Sequence, residues 1–319
     1  MKKTGLLLFL ALSLAAVAQQ NTDAPALTTP DGTAPTSVSF PIERVVTPTD
    51  ADLYCAGFIN PKLLPNANYV IGGLQTPSTT QFANGDMVFL TGAGYQAGQQ
   101  YSIVRELSDP NRYELYSGQH AQLKALGQPY AELARVKVID TRSKTAVAQV
   151  VFGCAPIVPG DIAIPYVDKQ AIPFHPPVRF DRFIPASSKT SGRIVMAKDF
   201  DSELGNGAKV YMNVGANQGV KVGDYFRAVR KYDADLHDAV DSLSFKASIS
   251  EDTQKKSAAI EPNMFTKTGG PVIRVADFPR RAVGEVVVLS TTATSSTGMI
   301  VFSMEDIHVG DGVELDQQQ

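Results

Sequence analysis

The sequence has no tryptophan, two cysteines and four histidines among its 319 residues. No pair of histidines has the H-x-x-H or H-E-x-x-H spacing that places zinc ligands on one face of a helix. The absence of tryptophan argues against a sugar-stacking platform, which usually needs large aromatic faces. The net charge is -3, so the basic face of a nucleic-acid-binding protein is missing. The four histidines are His120, His175, His237 and His308. We therefore expect that the protein binds neither a metal ion nor nucleic acid.

Common catalytic motifs are missing as well. There is no G-x-S-x-G elbow and no S-x-x-K, and neither cysteine has a histidine beside it. The stretch TGAGYQAG (residues 91–98) precedes a strand pattern, which favours a glycine-rich hairpin over a phosphate-binding loop. No catalytic residue and no cofactor are predicted. Two acidic clusters are candidates for carboxylate chemistry, and both are also typical of solvated loops: Asp199, Asp201 and Glu203, and Glu305 with Asp306.

The first residues, MKKTGLLLFLALSLAAVAQQ, have the pattern of a secretory signal peptide. Two lysines precede an apolar run, and Ala16-Val17-Ala18 provides the small residues that signal peptidase prefers. A membrane anchor is the alternative, but the run is shorter than the ~20 apolar residues that a spanning helix needs. No later segment is long and apolar enough to span a membrane. Residues 1–18 are therefore predicted to be removed, which places the protein in the periplasm or outer envelope.

The two cysteines, Cys55 and Cys154, are predicted to form a disulfide, because a secreted chain meets an oxidising compartment. The bond would close a loop of about 100 residues, worth up to ~4 to 5 kcal/mol in the chain-entropy model. The alternative is two buried thiols in neighbouring strands that act as small apolar side chains.

Composition divides the chain into modules and connections. Residues 19–50 are rich in Thr, Pro and Ala and are predicted to be a flexible tether. Residues 168–190 contain several prolines and are predicted to be an extended connector that packs Phe174, Phe180 and Phe183 against a module. The two remaining parts, 51–167 and 191–316, consist of short Val-, Ile- and Tyr-rich runs bounded by turn residues. Apart from a short helix predicted at Gly118–Gly127, they indicate two mainly β modules, each a small barrel or sandwich.

The two modules match each other in sequence. VFLTGAGYQAGQQYSIVR, starting at Val88, aligns with VYMNVGANQGVKVGDYFRAVR, starting at Val210. Further on, ARVKVID…TAVAQVVFGCAPIVPGDIAI aligns with GEVVVLS…STGMIVFSMEDIHVGDGVEL. This pattern predicts a duplicated module. The alignment pairs Gly98 with Gly223, Tyr101 with Phe226, Arg105 with Arg230, and Ile157 with Ile307.

Four Gly-Asp dipeptides precede apolar runs, and they raise the question of whether their aspartates are functional. Glycine adopts positive φ easily, and an Asp carboxylate bonds nearby backbone N–H groups, so turn chemistry alone accounts for the pattern. Position 99, which aligns with Asp224, is glutamine, so the module does not require a carboxylate there. We interpret these residues as structural turns, together with Gly98: Gly85-Asp86, Gly160-Asp161, Gly223-Asp224 and Gly310-Asp311.

The second module carries an insertion at about 232–274 that mixes charged and apolar residues and is predicted to be partly helical. It is interpreted as a surface excursion. A partner-docking arm is the alternative, because long insertions on a rigid β frame are where binding commonly resides.

The stretch KVYMNVGANQGVKVGDYFRAVRKY, followed by RAVGEVVVLSTTATSSTGMI, resembles the C-terminal β domain of flagellar assembly protein T. Similar patterns occur in bacterial envelope proteins that carry a peptidoglycan-binding LysM domain. The resemblance implies a non-enzymatic envelope protein that binds or assembles with an envelope protein or peptidoglycan. Two alternatives stay open: a wall-polysaccharide enzyme using Asp199, Asp201 or Glu203, and a purely structural subunit that forms a homo-oligomer.

Overall fold

The computed structural model of the protein describes residues 45–142, 144–173, 180–183, 185–231 and 278–316, and the backbone of 259–261 and 272–274. The predicted signal peptide and nearly all of the predicted tether lie outside these residues. Most of the predicted insertion does too, and its described parts are two short parallel strands, β12 (Ala259–Glu261) and β13 (Val272–Arg274).

The first module is a six-stranded antiparallel barrel, which confirms the prediction of a β-barrel. It closes where Tyr69 of its first strand pairs with Ile162 of its last. An additional strand, β1 (Phe58–Asn60), pairs with the outer end of β5. Two short helices accompany it, α1 (Asp50–Tyr54) and α2 (Gln119–Leu126). The barrel strands are β2 (Tyr69–Gly73), β3 (Met87–Thr91), β4 (Gln100–Glu106), β5 (Gln128–Arg142), β6 (Thr145–Gly153) and β7 (Ile162–Pro165).

The second module is also a closed six-stranded barrel. Its strand order, β8-β10-β15-β14-β11-β17, repeats the order β2-β3-β6-β5-β4-β7 of the first barrel. A two-stranded ribbon, β9 (Glu203–Leu204) with β16 (Ile307–His308), replaces the single bridge between Phe82 and Ile157. The barrel strands are β8 (Ser191–Ala197), β10 (Lys209–Met212), β11 (Tyr225–Arg230), β14 (Arg281–Thr291), β15 (Ser296–Ser303) and β17 (Gly312–Leu315).

The register of the two barrels agrees residue by residue. Val138 lies opposite Ala148, and Val288 lies opposite Gly298 in the second barrel. In each case the next residue of the long strand, Ile139 or Leu289, sits in a β-bulge. A bulge changes which face a side chain points to, so its repetition means that inward and outward positions correspond in the two copies.

Each barrel has its own apolar interior, as the alternating sequence pattern requires. Full burial of a Val, Leu, Ile or Phe side chain contributes roughly 1.5 to 3 kcal/mol, so these residues are the main source of stability. The interior of the first barrel includes Val70, Val88, Leu90, Ile103, Val136 and Val150. The interior of the second includes Ile194, Val210, Met212, Phe226, Val286 and Ile300.

The chain between residues 45 and 60 joins the barrels. Cys55 forms the predicted disulfide with Cys154 at the end of β6, which ties this segment to the first barrel. Its apolar residues Leu53 and Ala56 pack on the outer face of the second barrel. Val45 and Val46, from the end of the predicted tether, pack there as well.

The predicted connector contributes to the same packing. The ring of Phe180 contacts the ring of Phe302 with 5.1 Å between centroids, whereas Phe183 is exposed and Phe174 lies outside the described residues. None of the helices in the described ranges is long and apolar enough to cross a membrane.

The turn at Gly223 yields a test of the repeated Gly-Asp pattern. Gly223 has φ +90°, so replacing it with valine strains the backbone by roughly 1 to 3 kcal/mol. Asp224→Asn keeps an oxygen for the Lys221 N–H and should cost less than about 1 kcal/mol. Urea unfolding followed by circular dichroism should therefore rank Gly223→Val as the more damaging change, and equal losses would contradict this.

Candidate functional site

The four Gly-Asp dipeptides form one repeated turn. Each glycine has positive φ, and each Asp backbone N–H donates to the carbonyl three residues earlier, at 3.0 to 3.2 Å. Each Asp carboxylate also accepts the N–H of that earlier residue, at 2.7 to 2.8 Å. These bonds satisfy backbone donors within the turn itself. The four donating residues are Ala83, Val158, Lys221 and His308.

Asp161 does more than close its turn, because an arginine of β4 binds its carboxylate. Arg105 Nε donates to Oδ1 at 2.7 Å, and Nη2 donates to Oδ2 at 2.8 Å. Nη2 also donates to the carbonyl of Pro156 at 3.0 Å. The Asp161 side chain is 2% exposed, so its charge is compensated by a bidentate guanidinium instead of by water. This hydrogen bond raises the pKa of Arg105, although burial partly opposes the effect.

The second barrel repeats the same pair at the equivalent position. Arg230 Nε and Nη2 donate to Asp311 Oδ1 and Oδ2 at 2.8 and 2.7 Å, and Nη2 donates to the carbonyl of Asp306 at 2.6 Å. Both side chains are buried here, whereas the Arg105 side chain is 38% exposed. Both oxygens of each aspartate are occupied by donors from the fold. The arrangement therefore fixes strand positions and leaves neither carboxylate free to accept a proton from a substrate.

Sequence reasoning interpreted Asp161 and Asp311 only as turn residues and missed their arginine partners. A signal was present, because Arg105 and Arg230 align with each other in the repeat. When an arginine and an aspartate recur together in both copies of a duplicated module, the recurrence suggests that the two side chains contact each other.

The acidic clusters singled out in the sequence lie at the surface. Asp201 and Glu203 are exposed, and the Asp199 side chain is 70% exposed, with Lys198 at 3.3 Å. Glu305 accepts from Arg281 Nε at 2.9 Å and also pairs with Arg182. Asp306 is exposed and contributes its carbonyl to the Arg230 site.

The histidines are not gathered into a metal centre in the described ranges. His120 Nδ1 lies 3.8 Å from Glu114, and His308 lies in the short ribbon strand β16. His175 and His237 lie outside the described residues. Within the part of the chain that the structure describes, no group of three or more His, Cys, Asp or Glu side chains could hold a metal ion.

A polar and aromatic cluster surrounds the disulfide and was not predicted. Lys169 Nζ donates to both carboxylate oxygens of Glu132, at 2.6 and 2.8 Å, and to the carbonyl of Leu53 at 2.7 Å. The Arg135 guanidinium lies over the rings of Tyr54, Phe152 and Tyr166, at 5.4, 5.7 and 5.0 Å from their centroids. Together with the disulfide, these contacts hold α1 against the first barrel.

A buried glutamate occupies the outer face of the second barrel. Glu285 is 5% exposed, and its Oε2 has no hydrogen-bond partner among the described residues. Burial raises the pKa of Glu285 to about 7; the nearby charge of Asp316 adds to the rise, and Arg227 opposes it. Arg227 itself donates to Asp316. The Glu285 carboxyl is therefore protonated over part of the physiological pH range.

Comparison with known proteins adds no family assignment. No protein-family model matches the chain, and no curated protein matches it. The similarity to flagellar assembly protein T and to LysM-bearing envelope proteins therefore stays a prediction from the quoted residues.

The two arginine–aspartate pairs should differ in their contribution to stability. Arg230→Ala leaves a buried aspartate uncompensated, which typically costs about 3 to 5 kcal/mol. Arg105→Ala should cost less, because water can reach the site of a partly exposed guanidinium. Urea unfolding of both variants, with the change Lys62→Ala at an exposed loop position as control, measures the difference. A loss below about 1 kcal/mol for Arg230→Ala would contradict the assigned role.

Glu285 should make stability depend on pH. Its ordinary pKa is 4.5 and its folded value is about 7, so the unfolded chain loses this proton first as the pH rises. Stability should therefore fall between about pH 4.5 and 7, by an amount on the order of 3 kcal/mol. Unfolding at pH 5 and pH 8 should show this loss in the wild type and a smaller one in Glu285→Gln. The exposed change Asp201→Asn is the control, and the same pH dependence in Glu285→Gln would refute the assignment.

Proposed function

We propose that the protein is a secreted, non-catalytic component of the bacterial cell envelope that binds or assembles with another envelope component. The observation that carries this proposal is an apolar outer face on the first barrel. Ile71 and Ile139 are 40% and 50% exposed on β2 and β5, and the partly exposed Phe89 and Val147 lie on β3 and β6, the two strands between them. Contiguous apolar side chains on a protein surface mark interaction sites more often than solvated surface.

Two further features support a role in the envelope. The N-terminal sequence has the pattern of a secretory signal, and a disulfide joins Cys55 to Cys154, as expected for an oxidising compartment. The resemblance of the second module to flagellar assembly protein T points in the same direction. The expected partner is an envelope protein or peptidoglycan.

The buried charges fit a frame for binding. Asp161, Asp311 and Glu132 are each paired with a cation that holds two parts of the fold together. Such pairs fix geometry and give a rigid support on which an exposed surface can act.

The proposal is tested in native envelopes. The tagged full-length protein, crosslinked in cells, should capture one dominant envelope protein or peptidoglycan fragment, and addition of purified protein should not lower the turbidity of isolated walls. Wall lysis that disappears in the Asp199→Ala, Asp201→Ala, Glu203→Ala triple variant would overturn the proposal in favour of a wall-polysaccharide enzyme.

A further inference from the structure

The exposed face of the first barrel has a buried counterpart in the second. Phe89 lies opposite Val147, and at the equivalent positions Tyr211 lies opposite Thr297. Ile71 and Val195 occupy equivalent bulges beside them, and Ile139 and Leu289 occupy equivalent bulges on the long strands. We call the set on the first barrel the open stripe and the set on the second barrel the covered stripe. The open stripe is Ile71, Phe89, Val147 and Ile139; the covered stripe is Val195, Tyr211, Thr297 and Leu289.

The two stripes differ in exposure although their positions correspond. Every member of the covered stripe is at most 2% exposed. In the open stripe, Ile71 and Ile139 are 40% and 50% exposed, and Phe89 and Val147 are partly exposed. Among the described residues, the covered stripe therefore has an occupant, and the equivalent open stripe has none that buries it.

The occupant of the covered stripe has two parts. Leu123 and Leu126 of α2 pack over Val195 and Tyr211, and Leu53 of α1 packs near Leu289. These leucines come from two short helices that present apolar side chains to the outer face of a barrel.

Between these two helical contacts runs a non-helical segment, residues 56–59. Its carbonyls accept from hydroxyl groups of the second barrel. Tyr211 Oη donates to the carbonyl of Ala56 at 3.3 Å, and Thr297 Oγ1 donates to that of Gly57 at 2.9 Å. Ser295 Oγ donates to the carbonyl of Ile59 at 3.2 Å.

The open stripe has lost two of these hydroxyl groups. Phe89 replaces Tyr211, and Val147 replaces Thr297, so each change keeps the shape and removes the donor. An extended chain on this face would bury carbonyls without those donors, at a cost of about 1 to 3 kcal/mol each. A helix satisfies its carbonyls internally and avoids that cost. The open stripe, which lacks these hydroxyl groups, therefore suits a helix such as α2 better than a non-helical segment such as residues 56–59.

We propose that the open stripe is the docking site for an amphipathic helix of a partner protein that presents leucine-type side chains at i, i+3 and i+4. Four adjacent strands are separated by three spacings of about 4.8 Å and so span ~14 Å, which matches a helix of about 10 residues. Among the described residues, a second copy of this chain has no free equivalent to offer, because its α1 and α2 are packed on its own second barrel. This inference rests on the proposed binding function and names the surface and partner for it.

The probe is a labelled 16-residue peptide with leucines at i, i+3, i+4 and i+7 and glutamate or lysine elsewhere. Its control is a peptide of the same composition in scrambled order. Fluorescence anisotropy with the purified mature protein should show binding of the patterned peptide only. Ile71→Asp and Ile139→Asp should each weaken it at least about tenfold, since each removes a buried aliphatic contact. The Phe89→Tyr, Val147→Thr double variant should weaken it severalfold, and Val222→Asp, at an exposed turn of the second barrel, should leave it unchanged.

Three results would overturn the inference. They are absence of binding, equal binding of the scrambled peptide, and binding that survives both aspartate substitutions. Sedimentation velocity of the protein alone tests whether a second copy of this chain binds the open stripe. Self-association that Ile71→Asp abolishes would assign the stripe to a second copy. Thermal unfolding of each variant shows whether it is folded. Failure of the peptide test together with successful capture in envelopes would reject this surface and leave the envelope function standing.

Discussion

In each barrel, a buried aspartate paired with an arginine lies where the first and last strands meet. In the first barrel, Asp161 directly precedes the closing strand β7, its carbonyl accepts from the Val70 N–H of β2, and its carboxylate binds Arg105 of β4. One residue thus positions three strands, and Asp311 does the same in the second barrel with Ile194 and Arg230. A buried charge without its partner is costly, so the register that brings the arginine to the aspartate is favoured over a slipped one. The inward-facing apolar residues, and with them both cores, follow from that register.

Closure also determines what the outer faces must do. A strand that is apolar on both sides needs cover on its outer side, and the second barrel receives that cover from residues 45–60 and α2. This segment is held from the other side by the disulfide at Cys55 and by the Lys169–Glu132 pair. The joint between the barrels is therefore built from chain that covers one barrel while it is bonded to the other.

Features of the fold that depend on local sequence patterns could be predicted from the sequence, whereas those that depend on distant residues could not. Short β-rich runs, Gly-Asp turns and the internal repeat predicted two small β modules, each a barrel or a sandwich. Two cysteines in a chain predicted to be secreted predicted their own pairing. The arginine–aspartate pairs were missed because Arg105 and Asp161 are far apart in the chain and nothing local relates them. The open stripe was missed for a different reason. Ile71 and Ile139 lie in bulges, and a bulge turns a residue outward without changing the apolar pattern by which strands are recognised.

Comparison of the two copies separates the positions that hold the fold from the outer positions at which the two barrels differ. Inside, equivalent positions are constrained by closure, and the arginine–aspartate geometry agrees within about 0.1 Å in its bidentate bonds. Outside, Tyr211 and Thr297 face a bonded segment of the same chain, whereas Phe89 and Val147 face none of the segments that cover the second barrel. A position exposed to water gains nothing from a phenyl or isopropyl group where a polar side chain would be solvated. Four apolar side chains in one stripe are therefore the basis for proposing that a partner binds the outer face of the first barrel.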